Sequence, residues 1–95
     1  MRPSEVLQQH LEEVRATIAR FPVANPRLFG SVARGEDVEG SDLDILVDAP
    51  TATLFELAGL EIELEDLLGI KVDIATSDEL RRSIGARVQH DARPI

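Results

Sequence analysis

Apolar and polar positions along the chain alternate between a helical period and a strand period, and the changes between them give an element order. Leu7, Leu11, Val14 and Ile18 recur at spacings of four, three and four, which predicts an amphipathic helix running to about Arg20. Ser4, just after Pro3, is its expected N-cap, and its apolar stripe is expected to pack on a sheet. Pro22 and Pro26 punctuate the exit, and Arg27 to Phe29 reads as a short strand ending at Gly30. Val32 to Arg34 suits a helical turn. The polar loop that follows lies between Gly35 and Gly40, both read as turn glycines. Asp42-Leu-Asp-Ile-Leu-Val47 has the branched residues and bounding turn signals of a strand. Thr53 and Glu56 form a T-x-x-E capping box ahead of a helix carrying Leu57, Leu60, Leu64, Leu67 and Leu68, and Gly69 fits its C-terminal cap. Ile70-Lys-Val-Asp-Ile74 alternates as a third strand with Ile70, Val72 and Ile74 on one face. Thr76 and Glu79 repeat the capping pattern before a final helix through about Gln89. The pattern predicts one α/β (α+β) domain over residues 1–95, a small mixed sheet packed by helices.

Composition narrows the class. The chain has 95 residues and 43% apolar content, enough for a folded core without a second domain. With no cysteine, disulfides and thiolate metal sites are excluded. The charges that interrupt the N-terminal segment argue against a signal peptide, and no stretch approaches the ~20 apolar residues of a membrane span, so a cytoplasmic protein is expected.

Charge sharpens the choice of partner. The net charge is −8, and from Gly35 to Ile70 there are eleven Asp or Glu residues and no Lys or Arg. An acidic midsection disfavours direct DNA binding, and three phenylalanines are too few for a base-stacking platform. Cations or a basic protein surface suit it better. Glu61, Glu63, Glu65 and Asp66 read as a solvated helix face, or as a face for a basic partner. His10 and His90 are read as exposed bystanders.

The candidate chemistry lies in two segments. Asp42 and Asp44 are two apart on a strand, so they leave the same face about 7 Å apart at the backbone. Asp73 lies mid-strand on the face opposite Val72 and Ile74. If the two strands are neighbours, three carboxylates converge, and a divalent cation would offset their repulsion. Oxygen ligands alone favour Mg²⁺ or Mn²⁺. Gly30 allows close backbone approach, Ser31 adds a hydroxyl at a helical turn, and Arg34 offers a fork of donors to phosphate or, alternatively, a surface or partner-facing salt bridge. A phosphate chain on Gly30, Ser31 and Arg34, bridged by metal to Asp42 and Asp44, is the arrangement of metal-assisted phosphoryl or nucleotidyl transfer. Asp73 would receive the proton of an attacking hydroxyl while also touching metal.

Gly30-Ser31, ten residues, then Asp42-x-Asp44 resembles the G-S-x10-D-x-D signature of the polymerase-β-like nucleotidyltransferase superfamily. GSVARG, SDLDILV and KVDIAT resemble its smallest branch, the minimal nucleotidyltransferase domain proteins. The resemblance implies the minimal fold of that superfamily, with Asp42, Asp44 and Asp73 as the catalytic carboxylates and Gly30 and Ser31 as the nucleotide-phosphate loop. It also implies ATP as donor and an antitoxin paired, as a hetero-oligomer, with an all-helical HEPN toxin. In that reading AMP passes to a toxin hydroxyl, a tyrosine above all. The alternative is an antitoxin that inhibits by stoichiometric binding alone. Transfer to RNA ends or a small molecule is a third reading, which the acidic surface disfavours for RNA.

Overall fold

The computed structural model describes residues 1–83 and 92–95. Two helices, α1 (Pro3–Gln9) and α2 (Leu11–Ala19), lead into strand β1 (Ala24–Phe29) and a single helical turn, α3 (Gly30–Ala33). Strand β2 (Leu43–Asp48), helix α4 (Leu54–Leu68) and strand β3 (Val72–Thr76) follow, then α5 (Ser77–Ser83) and a short strand β4 (Arg93–Pro94). The sheet order is β3-β2-β1-β4, with β2 and β3 parallel and the other two pairings antiparallel. The expected mixed sheet packed by helices is what forms, and the parallel pair is joined by α4 as a crossover.

The first helix is two helices. The break falls at His10, whose N–H is shared between the carbonyls of Val6 and Leu7. The stripe survives it, because Leu7, Val14 and Ile18 are buried and Leu11 packs against them. Ser4 is not the cap. Its N–H donates instead to Asp37 Oδ2 at 2.9 Å, while Glu5 accepts from the Arg2 N–H at 2.8 Å. A loop carboxylate 33 positions away therefore satisfies the start of α1, and Asp37 is only 3% exposed. Burial pushes the Asp37 carboxyl up, but the hydrogen bonds from Ser4 and its own backbone outweigh that and hold it below the ordinary value.

The first strand is longer than Arg27 to Phe29 and runs through Pro26. A register shift between Ala24 and Arg27 and a left-handed Asn25 (φ 52°) mark a bulge, one of the few places a strand tolerates proline. The Pro26 carbonyl accepts from the Ile95 N–H at 3.1 Å, anchoring β4. Thr53 and Glu56 exchange the two hydrogen bonds of the expected capping box, at 3.1 and 2.9 Å, and Gly69 ends α4 in the left-handed region (φ 69°). At the start of α5 the Glu79 N–H donates to Thr76 Oγ1, as expected of the box, but it is the Thr76 hydroxyl that donates to Glu79 Oε1 in return. The expected extent of that helix to Gln89, and His90, lie outside the described residues.

Alternation along β2 sorts its residues. Leu43, Ile45 and Val47 join Val72, Leu60, Leu64 and Leu68 in the main core, with Val14 and Ile18 of α2. Each fully buried aliphatic side chain there stabilises the fold by about 1.5–3 kcal/mol. Leu46 points to the other face and is also fully buried, and Leu80 is buried in α5, which packs on β2 and β3. β3 is an edge strand, and α4 covers that edge. Glu65 Oε2 accepts from the Val72 N–H at 3.0 Å and Glu61 Oε2 from the Ile74 N–H at 3.3 Å. At the far end of β2, Asp48 accepts from Arg27 at 2.6 Å and from the Ser77 hydroxyl, clamping β1, β2 and α5 together.

Candidate active site

The parallel register places Asp44 beside Asp73, as it places Leu43 beside Val72. Residues paired in this way project from the same face of a sheet, so the two carboxylates stand side by side on adjacent strands. Asp42 lies just before β2, two residues from Asp44. The three carboxylates read from the sequence thus share one end of one sheet face, with Asp73 exposed and Asp42 and Asp44 half-buried. Burial, first, and then the charges of Asp73 and Asp42 push the Asp44 carboxyl up to about 6, partly opposed by the Arg34 guanidinium.

Phe29 pairs with Asp44, so the turn after β1 opens beside that carboxylate. Gly30 is left-handed (φ 71°), and a Cβ built there would lie 2.3 Å from Asp44 Oδ2. Both the backbone and the space require glycine at this position. Ser31 and Val32 supply the first-turn N–H groups of α3, which have no partner within the turn itself. Arg34 Nε pairs with Glu36 Oε1 at 3.1 Å while its charge acts on Asp44.

Sequence reasoning missed one residue beside the carboxylates and one that supports the fold. Lys71 Nζ lies 3.9 Å from Asp42 Oδ2 and is the only lysine of the chain. Its position two residues before Asp73, opposite the residue preceding Leu43, was the available signal, but it needed the parallel register to be known. Asp37 is the other, with no local signal, since it acts on α1 across the fold. A cavity of about 190 Å³ lined by Asp48, Ala49, Pro50, Ser77 and Asp78 lies at the opposite end of β2 from Asp44.

The donors here are carboxylate oxygens, the chemistry that suits a hard divalent cation. Among the described residues no three His, Cys, Asp or Glu side chains are gathered closely enough to enclose an ion unaided.

Comparison with known proteins bears on this arrangement. A family model described as a nucleotidyltransferase domain matches residues 7–94. The chain belongs to the nucleotidyltransferase-domain family. It is 40% identical over 84 residues to the protein adenylyltransferase MntA of Thermococcus cleftensis, covering 87% of this chain and 82% of the relative. A solved structure described as a putative minimal nucleotidyltransferase superposes with a TM-score of 0.83 at 41% identity, covering 97% of this chain and 95% of that one. A toxin–antitoxin crystal structure with AMP-PNP shares the fold, with a TM-score of 0.65 at 23% identity over 97% of this chain and 71% of that one. This nucleotidyltransferase matches such relatives over nearly its whole described length, and among the described residues no helix is long and apolar enough to cross a membrane.

Proposed function

We propose that the protein is an antitoxin that transfers AMP from ATP to a hydroxyl, a tyrosine above all, of a cognate helical HEPN-type toxin and thereby silences it. The observation that carries this reading is the register pairing of Asp44 with Asp73 beside the Gly30 turn, with Asp42 two residues away. Support for a protein acceptor comes from the likeness to a protein adenylyltransferase and from the acidic surface, which repels nucleic acid.

In the proposed reaction the backbone at Gly30 and Ser31 holds the phosphate chain, and Arg34 faces its charge. Mg²⁺ or Mn²⁺, held by Asp42, Asp44 and Asp73, would neutralise phosphate charge and polarise the α-phosphorus. Asp73, the most exposed of the three, accepts the proton of the acceptor hydroxyl. The hydroxyl oxygen bonds to the α-phosphorus as the bond to the β-bridging oxygen breaks, and pyrophosphate leaves with that electron pair. Lys71, whose Nζ lies 3.9 Å from Asp42 Oδ2, would add positive charge beside the phosphates.

The test is co-expression with the product of the adjacent reading frame, followed by intact-mass measurement of that product. Wild type is expected to add the mass of one or more AMP units, and the Asp42→Ala, Asp44→Ala, Asp73→Ala variant none. No added mass with wild type would overturn the reading. If that triple variant folds and protects cells as well as wild type does, inhibition by stoichiometric binding replaces it.

A further inference from the structure

The outward face of α4 departs from ordinary surface patterning. Glu61 and Glu65 turn to the β3 edge, and Glu63 turns to α2, where it meets Arg20 at 2.7 Å. What remains outermost is Phe55, Ala58 and Ile62, spaced by three and four, with Leu54 beside them. Phe55 is 91% exposed, Leu54 82% and Ile62 58%. The opposite face of the same helix buries Leu60, Leu64 and Leu68. A helix apolar on both faces is ordinarily covered on both, and large apolar side chains left exposed side by side mark an interaction surface.

Charge identifies the occupant. The flanks of the stripe carry Glu56, Glu61, Glu65 and Asp66 besides the Glu63 already paired with Arg20, and α4 itself has no Lys or Arg. A second copy would press these acidic borders together, on a chain whose net charge is already −8, and an anionic lipid surface or a nucleic acid would be repelled in the same way. The complement is a protein helix with apolar anchors at matching spacing and Lys or Arg along its flanks.

We propose that the Leu54, Phe55, Ala58 and Ile62 stripe docks a basic-flanked amphipathic helix of the partner protein that carries the acceptor hydroxyl. The inference rests on the reading that the acceptor is a protein. Leu54 and Phe55 open α4, whereas Asp73 follows its other end, roughly 20 Å along a helix of this length. A partner anchored there leaves the carboxylates open to ATP and to an acceptor on another segment of the partner.

The probe is a synthetic amphipathic helical peptide with a Leu/Phe face and Lys/Arg flanks, titrated into the ¹⁵N-labelled full chain without ATP or metal. A peptide with the same apolar face and Glu flanks serves as control. Expected are amide shifts centred on Leu54 to Ile62 with the basic peptide alone, and at least tenfold weaker binding to Phe55→Glu and Ile62→Glu chains of unchanged melting temperature. No binding, or binding indifferent to both substitutions, overturns the proposal. So does concentration-dependent dimerisation of wild type that Phe55→Glu abolishes, because the occupant is then a second copy. Since the titration needs neither ATP nor Asp44, its outcome is independent of whether AMP transfer occurs.

Discussion

Asp44 bears the electrostatic tension of the site. Its folded-state value of about 6 lies above the ordinary 3.8, so the folded chain holds that proton more tightly than the unfolded one. Stability from this group is present below about pH 4 and is lost as pH rises towards about 6. At pH 7.5 the ionised carboxylate therefore weakens the metal-free fold, by about 1 kcal/mol after allowance for its partial solvation. Asp44→Asn is expected to raise the melting temperature without metal by roughly 4–8 °C at pH 7.5 and by only about a third as much at pH 4.5, read by circular dichroism. An equal or opposite change at the two pH values would contradict the clustering. Much of this was legible from the chain alone. The two-residue spacing of Asp42 and Asp44 fixes a shared face, and the Gly30-Ser31 turn lies a fixed distance ahead. The reason Gly30 must be glycine was not legible, because its close neighbour is Asp44 on another strand.

At the scale of elements, local signals succeeded where local contacts decide. The Thr53–Glu56 box and the left-handed Gly69 are set by neighbouring residues, and both form. Expectation failed where a distant group intervenes. Ser4 looked like a cap, but Asp37 reaches α1 from the loop before β2. Glu61 and Glu65 looked like a solvated face, yet both are bound to the edge of β3. Strand β4 is two residues long and depends on β1 for pairing, too little for any periodic signal. Asp37→Ala leaves the part-buried Ser4 N–H at the start of α1 without its acceptor and is expected to cost about 1–3 kcal/mol. Hydrogen exchange should report it as lost protection at the start of α1, with β2 and β3 protected to within the global change. Unchanged protection of α1 would remove Asp37 from its anchoring role.

At the scale of the whole molecule, one strongly acidic chain separates its tasks in space. The carboxylates occupy one end of the parallel strand pair, the Asp48–Arg27–Ser77 clamp the other, and the apolar stripe of α4 faces away from the core. The first of these places is the proposed seat of adenylyl transfer. In the most direct test, the proposed toxin partner is incubated with the protein, Mg²⁺ and ATP labelled at either the α- or the γ-phosphate. Label from the α-position is expected on the partner and label from the γ-position only in pyrophosphate. Both signals should fall at least a hundredfold in Asp44→Asn, Asp73→Asn and Gly30→Ala chains that retain their circular dichroism spectra. Label transferred from the γ-position, or α-label transfer undiminished in folded Asp44→Asn, would contradict the account.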